Sequence, residues 1–517
     1  RDIHYMAERD VLMRYDRVRS VRLNTSYYDE TYKHIFIPVY STAYTYKGNH
    51  YNVLINGETG KIKGEYPKSP VKIAAIIIVI IGILFGIYLA TIVGLVLKPF
   101  PVPITVLLGV ATSSILLNNT KDVLTGYSNT ALWLIFAAFA LSVAFGKTGL
   151  GHRIAYHLVR AFGSTTLRLG YVTAFLDMIL SPATPSNTAR AAGIVYPINL
   201  SIAEAVGSYP GETAKKAGAY LLQNGYFATK VTSFFFATAM APNLLALDFI
   251  TKLTGVTLNW AQWALAMFVP GFIMLMLIPL IGYMYERPSV KDIDNKKIAA
   301  DGLAELGPMK ASEKGLIAIA LLAIVGWILP TFDVTLNATA VAIVAMLATF
   351  VFGIITWDDL LKTKAAWNTL IWFGGILGLS SALTKGKFFE WLAKYLETHM
   401  NFGLDPFMML ILISIVSVAV RYFFASGTAY ISAMLPVFLI LGVNAGVDPT
   451  LLAFILIGTN SYGGSVTHYG AAPGPIIFSA GYNNVKDWWT VGLISALVCL
   501  VLNYVIGIPW WKITGFM

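Results

Sequence analysis

Two short polar clusters inside apolar stretches carry side chains suited to binding a ligand. The first, Ser181–Thr188, lies within the apolar stretch 172–204 and contains two prolines. The second, Phe424–Thr428, lies within the apolar stretch 407–443. A transmembrane helix cannot continue through such clusters without leaving backbone groups unpaired in lipid. Each cluster therefore predicts the tip of a re-entrant helical hairpin, which enters the membrane and returns on the same side.

The two predicted tips have the chemistry of an anion site. They offer hydroxyl groups, an amide in the first tip, and helix N-termini whose positive dipole ends attract anions. Two such tips can meet near the membrane midplane and enclose a small ligand with two negative ends. The tip residues that we assign to this site are Ser186, Asn187, Thr188, Ser426, Gly427 and Thr428.

Two further apolar segments are interrupted in a matching way. Thr238–Asn243 interrupts the segment 217–250, and Gly458–Pro475 interrupts a later one. A lone break fits a helix kink equally well, but two breaks beside two hairpin tips favour unwound backbone that lines a binding site. The break residues that we assign to the site are Pro242, Asn243, Thr467, His468, Tyr469 and Gly470.

Ionisable side chains inside a membrane are costly and mark functional sites by default. Arg190 lies two positions after Thr188 of the first tip cluster and His468 lies in the second break, so we assign both as positive charges that compensate the ligand. Arg421 fits a snorkelling or structurally paired side chain as well as a site residue. For Asp177 and Lys230, a structural ion pair or a helix-end position is the favoured interpretation.

The composition indicates which elements must position these residues. The 517 residues are 56% hydrophobic and 12% charged, where soluble domains carry about 25% charged residues. Apolar runs long enough to span a bilayer recur from Ile73 onwards, which predicts an all-α polytopic membrane protein. The net charge of +10 is typical of cytoplasmic loops and helix ends rather than of nucleic-acid binding. The single cysteine, Cys499, excludes a disulfide framework and a cysteine-based metal site.

The chain divides into four parts. Residues 1–72 form a polar N-terminal module with short β-hairpin character, because alternating residues flank a turn at Gly48-Asn49. The remaining parts are a first transmembrane repeat (73–285), a cytoplasmic linker (286–312) and a second transmembrane repeat (313–517). The linker carries mixed charges with several basic residues, which predicts its cytoplasmic location.

The two transmembrane parts share short patterns at a nearly constant spacing. Each second copy lies 238 to 240 residues after the first, which is difficult to attribute to chance for four matches. The apparently odd number of segments in each half predicts that the second half is inverted in the membrane, an architecture typical of secondary transporters. The matched positions are Asn129 and Asn368, Lys147 and Lys385, Ser186 and Ser426, and Pro197 and Pro436.

Several of these motifs resemble the divalent anion/Na⁺ symporter family over residues 88–517. Within that family the sequence is most similar to the citrate–succinate, tartrate–succinate and 2-oxoglutarate–malate exchangers. The resemblance implies a homodimer with a scaffold domain and a transport domain that moves as an elevator. It also implies that Ser-Asn-Thr in the first tip and Ser-x-Thr in the second bind substrate carboxylates. The motifs are Pro-Ser186-Asn-Thr188, Ser426-x-Thr428, Asn129-Thr-x-x-Trp133, Lys147-Thr-Gly-Leu-Gly-x-Arg153 and Thr467-His-Tyr-Gly470.

One departure from the family pattern bears on coupling. In sodium-coupled members both tips usually read Ser-Asn-Thr, and the second asparagine helps to build a sodium site, whereas this chain has Gly427 there. We therefore predict obligate exchange of dicarboxylates (succinate, malate, 2-oxoglutarate, or citrate or tartrate) with no resident metal or cofactor. The alternative is sodium-coupled symport of a dicarboxylate or sulfate, in which Asn187, Gly427 and Asn460 would lie at the sodium sites.

Other functional classes fit the sequence less well. A membrane-embedded hydrolase needs a nucleophile with an oriented base, and His468 beside Ser465 has no obvious orienting acid. Nothing repeats as a channel filter, and no Walker-type loop is present for ATP-driven transport. We predict a non-enzymatic carrier of the bacterial cytoplasmic (inner) membrane. Its expected partners are small dicarboxylates, the lipid bilayer and a second copy of the chain, with no nucleic acid.

Overall fold

The structure is a computed structural model that describes residues 38–46, 48–59, 61–64, 70–332, 334–399 and 403–517. It divides into two compact units, Arg1–Ile76 and Ile77–Met517. The part of the N-terminal module before residue 38 lies outside the described residues.

The first unit contains a three-stranded antiparallel sheet in the order β1-β2-β3. Gly48, between the first two strands, has a φ of +82°, a conformation that glycine adopts without the steric cost of a Cβ atom. After the second strand, the Asn56 side chain accepts hydrogen bonds from the backbone N–H groups of Glu58 and Thr59, at 2.9 and 3.0 Å. This Asx turn leads into a third strand. The strands are β1 (Val39–Tyr46), β2 (Asn49–Asn56) and β3 (Ile62–Gly64).

The second unit is built from helices, and its first helix begins within the first unit. The helices before the linker are α1 (Pro70–Leu97), α2 (Val102–Leu117), α3 (Thr120–Leu124), α4 (Thr130–Thr148), α5 (Leu150–Phe162), α6 (Thr166–Leu180), α7 (Asn187–Arg190), α8 (Tyr196–Ala205), α9 (Gly218–Phe235), α10 (Ala241–Thr254) and α11 (Trp260–Glu286). The linker contains α12 (Asn295–Leu306). The later helices are α13 (Ala311–Ile328), α14 (Ala338–Val351), α15 (Trp357–Leu361), α16 (Lys364–Lys385), α17 (Phe388–His399), α18 (Pro406–Val420), α19 (Gly427–Asn444), α20 (Pro449–Tyr462), α21 (Pro473–Phe478), α22 (Val485–Leu502) and α23 (Ile508–Ile513).

Seven helical stretches among the described residues are long and apolar enough to cross a membrane. They differ in the share of an 18-residue apolar window that is buried: 72% for Lys364–Lys385 but 33% for Ala311–Phe332, which leaves most of the latter window available to lipid. The protein is therefore an integral membrane protein, and the predicted helical class is confirmed. The seven stretches are Thr130–Thr148, Trp260–Glu286, Ala311–Phe332, Lys364–Lys385, Pro406–Phe423, Gly427–Asn444 and Val485–Ile513.

The helices occur in the same order before and after the linker, and helices of one series pack against helices of the other. Helix α4 packs against α14, and its counterpart α16 packs against α2. Two ion pairs also connect the two series: Lys147 Nζ lies 2.5 Å from Asp359, and Lys385 Nζ lies 2.5 Å from Asp122. The hydrogen bond from Lys147 holds the pKa of Asp359 below its ordinary value. The orientation of the two series in a membrane stays a prediction.

The linker packs against α5 through its own helix, α12. The Asn295 amide donates hydrogen bonds of 2.9 Å to the backbone carbonyls of Val159 and Arg160 in α5. Just after the linker, Glu313 forms a buried ion pair with Arg153 of α5 at 2.5 Å. The linker is thus an ordered part of the second unit, while its cytoplasmic location stays a prediction.

Candidate functional site

Two helix turns and two helix breaks surround a cavity of about 610 Å³. Its polar lining comes from both predicted tips, from both interrupted segments and from α16. The lining residues with polar or charged side chains are Lys98, Ser186, Asn187, Thr188, Lys230, Asn368, Thr369, Trp372, Arg421, Ser426, Thr428, Asn460 and Tyr469.

The first tip is the turn between α6 and α7. The chain leaves α6 through a short 3₁₀ turn, and Ser186 then caps α7 by accepting a hydrogen bond from the backbone N–H of Ala189 at 3.2 Å. This is the usual role of a serine at a helix N-terminus. The Pro185 carbonyl accepts a hydrogen bond from the backbone N–H of Ala241 at 3.1 Å, which attaches the tip to the first break. The predicted residues Ser186, Asn187 and Thr188 therefore line the cavity together.

The second tip repeats this design between α18 and α19. Ser426 caps α19 by accepting a hydrogen bond from the backbone N–H of Ala429 at 3.4 Å. At Gly427, an added Cβ would have only the Pro242 ring within 4 Å, at 3.8 Å, among its described surroundings. The second tip therefore lies beside the first break, and Gly427, Thr428 and Pro242 all line the cavity.

The first break lies between α9 and α10 and is held by Asn243. The Asn243 amide donates hydrogen bonds to the backbone carbonyls of Ser233, at 2.8 Å, and Phe236, at 3.0 Å. Ser233 lies in the last turn of α9, where carbonyls lack intrahelical partners, and the Phe236 carbonyl also accepts a hydrogen bond from the backbone N–H of Ala239 at 2.9 Å. Asn243 is buried and is not among the residues that line the cavity, so it stabilises the break instead of contacting a ligand.

The second break, between α20 and α21, contributes less side-chain lining than expected. Tyr469 lines the cavity and donates a hydrogen bond to the Tyr422 carbonyl at 3.2 Å. Gly470 is required by packing, because a Cβ there would lie 2.4 Å from the Gly464 carbonyl oxygen. Thr467 is buried away from the cavity. Only Tyr469 of the four residues assigned to this break lies in the lining.

The structure places His468, which the sequence predicts as a positive charge facing the ligand, outside the cavity lining. Its ring is stacked on Phe478, with centroids 4.4 Å apart, and does not line the cavity. The indole N–H of Trp489 lies 3.0 Å from His468 Nδ1. Because an indole N–H can only donate, Nδ1 must accept, so the ring is not doubly protonated in this arrangement.

Arg190, the other predicted positive charge, also lies outside the cavity lining. This side chain is fully buried, outside the cavity lining, with its Nε 3.3 Å from Asp177 Oδ1. Its Nη1 donates to the carbonyls of Thr184, at 2.5 Å, and Ala239, at 2.6 Å. Asp177 therefore offsets the charge of Arg190, which braces the first tip against the first break.

Lys230 is a buried basic residue of the cavity that the sequence interpretation missed. It lies in α9, is 2% exposed, and its ammonium group has neither an acidic partner nor a hydrogen bond among the described residues. Its nearest aromatic face is the ring of Tyr226, with the centroid at 5.6 Å. The sequence contained one indication of this role: the single carboxylate of Asp177 can neutralise only one of Arg190 and Lys230, which leaves the other basic side chain without an acidic partner.

Arg421 is the second buried cation of the cavity. Its guanidinium donates to the backbone carbonyls of Ser426, at 3.3 Å, and Gly470, at 2.6 Å, which joins the second tip to the second break. Its Nε has no hydrogen-bond partner in the part of the chain that the structure describes. The partners of this guanidinium are neutral, so its full charge remains.

Asn460 gives an independent indication of a ligand. This side chain lines the cavity and is 3% exposed, and both its amide nitrogen and its amide oxygen lack partners among the described residues. Leaving a buried amide unpaired costs about 1–3 kcal/mol per group, so buried polar atoms are normally satisfied. An occupant that accepts from Nδ2 or donates to Oδ1 would remove this cost.

The cavity as a whole is positively charged. Lys98 lies at its exposed part, Lys230 and Arg421 lie in its buried part, and the described lining contains neither Asp nor Glu. Buried charges without partners are strongly unfavourable. Together with the two helix N-termini, this arrangement is suited to binding a small anion.

Comparisons with known proteins agree with this arrangement. A profile of the family described as the sodium:sulfate symporter transmembrane region matches residues 75–517. The chain is 50% identical over 437 residues to the inner membrane protein YbhI of Escherichia coli, covering 83% of this chain and 91% of that protein. It is 39% identical to the putative malate transporter YflS of Bacillus subtilis, covering 84% and 91%. It is 33% identical to the L-tartrate/succinate antiporter of Escherichia coli, covering 83% and 92%.

A solved structure is also similar in fold. The YdaH transporter of Alcanivorax borkumensis superposes with a TM-score of 0.51, covering 78% of this chain and 90% of that one. Because the sequence identity is 14%, this similarity concerns the fold alone.

Proposed function

This chain belongs to the sodium:sulfate symporter family, and on that premise we propose that it is a secondary transporter that exchanges dicarboxylates. The candidate substrates are succinate, malate and 2-oxoglutarate, with citrate and tartrate as further possibilities. One observation carries the proposal: the buried part of the cavity holds Lys230 and Arg421 with no acidic residue among the described lining. The printed names of the malate transporter and the tartrate/succinate antiporter support a dicarboxylate as the anion.

Exchange follows from the energy of the empty site. Two buried cations make a carrier without substrate costly to move through the low-dielectric part of a membrane. A dianion offsets both charges, so the loaded carrier crosses more easily than the empty one. A carrier of this kind returns only with a second substrate bound. The charge compensation expected from Arg190 and His468 is supplied in this proposal by Lys230 and Arg421.

The proposed movement is of the elevator type. The cavity is lined by α16, which contributes Asn368, Thr369 and Trp372, and by the tips and breaks. We assign α2–α4 and α13–α16 to a scaffold, and the hairpins and broken helices to a transport domain. The crosswise packing of α4 on α14 and of α16 on α2 supports two inverted repeats within that scaffold. A homodimer is part of this proposal through the family resemblance.

Sodium-coupled symport is the second candidate, because the matched family is described by sodium and sulfate. In this reading the ion would lie near Asn187, Gly427 and Asn460. Two considerations favour exchange: Gly427 offers no side-chain oxygen, and Lys230 and Arg421 would repel a cation in the same cavity. We also propose the bacterial inner membrane as the location, as the name of the relative YbhI suggests.

Ligand binding in the presence and absence of sodium tests this proposal. The purified protein would be screened by thermal shift with succinate, malate, 2-oxoglutarate, citrate, tartrate and sulfate, in buffers of sodium or of choline. We expect dicarboxylates to raise the Tm equally in both buffers. A shift that requires sodium, or one produced by sulfate alone, would favour the symporter instead.

Removing one hydroxyl from either tip should abolish this ligand response. We expect Ser186→Ala and Thr428→Ala each to lose the dicarboxylate-induced rise in Tm, because each removes a hydrogen-bond donor from the cavity. Ser186→Ala should also lower the stability of the free protein by about 1 kcal/mol through the lost helix cap.

Thr356→Ala is the matched control for the lost cap, since Thr356 caps α15 and does not line the cavity. It should retain the full ligand response. A normal response in both tip variants would refute the assignment of the tips.

A further inference from the structure

In each hairpin, a pair of residues at equivalent positions joins the two helices, but the chemistry of the pair differs between the hairpins. We call this pair the brace. At the repeat spacing of 240 residues that relates Ser186 to Ser426, Asp177 corresponds to Ser417 and Arg190 to Tyr430. All four side chains of these two pairs are buried. The brace can therefore be compared directly between the halves.

In the first hairpin the brace is ionic, and in the second it is neutral. Arg190 Nε lies 3.3 Å from Asp177, and the two opposite charges offset each other. Tyr430 instead donates its hydroxyl to the Ser417 carbonyl at 3.1 Å. Each brace on its own therefore contributes no net charge to its hairpin.

Arg421 is an additional charge in the second hairpin, outside the Tyr430–Ser417 pair, and it joins the second tip to the second break. It occupies the position of Ser181 in the first hairpin, and its guanidinium lies 4.9 Å from the centroid of the Tyr430 ring. A Cβ at Gly464 would lie 2.7 Å from Arg421 Nη2 and 3.3 Å from Lys230 Nζ, so these two cations lie within about 6 Å of each other. The positive charge of the buried cavity is thus concentrated beside the second tip and the second break.

We propose that the site is asymmetric and that binding, as distinct from transport, requires a full negative charge at only one end of the substrate. A carboxylate binds near Lys230 and Arg421 at the second tip. The other end binds the first tip through hydroxyls, the Asn187 amide and a helix N-terminus, and there an amide can replace a carboxylate. The substrate class is therefore an acid with one essential carboxylate and a second hydrogen-bonding end. This inference rests on the proposed function.

Competition by succinate, its monoamide and its diamide tests the asymmetry on the unmodified protein. We expect the monoamide to bind within about tenfold of succinate, because it can place its carboxylate at the second tip, and the diamide to bind more than a hundredfold more weakly. If succinate binds and the monoamide is as weak as the diamide, the two ends are equivalent and the inference fails alone. If succinate does not bind, the proposed function fails.

Exchanging the chemistry of the two halves gives a second test. Arg421→Ser copies Ser181 and leaves the Tyr430–Ser417 brace in place, and we expect it to weaken succinate and monoamide binding by thirtyfold or more. Asp177→Ser with Arg190→Tyr copies the neutral brace but also removes the hydrogen bonds from Arg190 to the Thr184 and Ala239 carbonyls, so it should weaken both affinities, though less than Arg421→Ser does. A thermally stable double variant that loses affinity as strongly as Arg421→Ser would overturn the inference.

Discussion

Replacing Lys230 by glutamine should abolish dicarboxylate exchange and weaken binding by about two to three orders of magnitude. The Lys230 ammonium is buried and, in the described structure, has no partner, so a substrate carboxylate would be its first. Removing one member of a buried ion pair costs about 3–5 kcal/mol. Since about 1.4 kcal/mol corresponds to a tenfold change in Kd, the loss should be readily measured by titration calorimetry.

The free protein should respond to Lys230→Gln in the opposite direction. Without substrate, the substitution removes an uncompensated buried charge, so the Tm of the free variant should stay equal to or rise above that of the parent. This result separates lost binding from misfolding. Lys486→Gln, at an exposed position of α22, is the matched control and should leave both properties unchanged. Normal affinity in Lys230→Gln would exclude this lysine from the site.

Asp177→Asn should destabilise the protein by about 3–5 kcal/mol, the cost of leaving one buried partner of an ion pair alone. Asp177 is fully buried beside Arg190 and also accepts a hydrogen bond from Thr232. The unpaired Arg190 would weaken the brace that holds the carbonyls of Thr184 and Ala239 together. Thermal unfolding in detergent should show a Tm several degrees below that of the parent.

A double variant, Asp177→Asn with Arg190→Gln, should recover much of this stability. Removing both charges of a buried pair is often close to neutral, whereas removing one is not. If Asp177→Asn keeps the parent Tm but loses ligand binding, Asp177 and Arg190 would belong to the ligand site, contrary to the structural assignment.

The backbone of the site could be predicted from the sequence because its signals are local. Pro182 and Pro185 interrupt a helix by themselves, and Ser186 and Ser426 each cap the helix that follows. Such features depend on neighbours within a few residues. The hairpin turns and breaks are therefore found where the sequence indicated them.

The roles of the charged and polar side chains depend on partners that are distant in the sequence. Arg190 is neutralised across a hairpin by Asp177, while Lys230 lies in an equally apolar segment and is not neutralised. His468 lies in a predicted break, but Trp489 of α22 holds it away from the cavity. Asn243 supports backbone carbonyls, whereas Asn460 is the amide that lines the cavity. Hydropathy and motif spacing do not contain this information.

Uptake of labelled succinate into proteoliposomes tests the central claim, exchange without sodium, most directly. Vesicles loaded with unlabelled succinate and empty vesicles would be compared in sodium-free buffer and under an inward sodium gradient. Fast uptake into loaded vesicles alone, unaffected by sodium, is the result that two fixed cations in the cavity predict. Strong uptake into empty vesicles driven by the sodium gradient would contradict it.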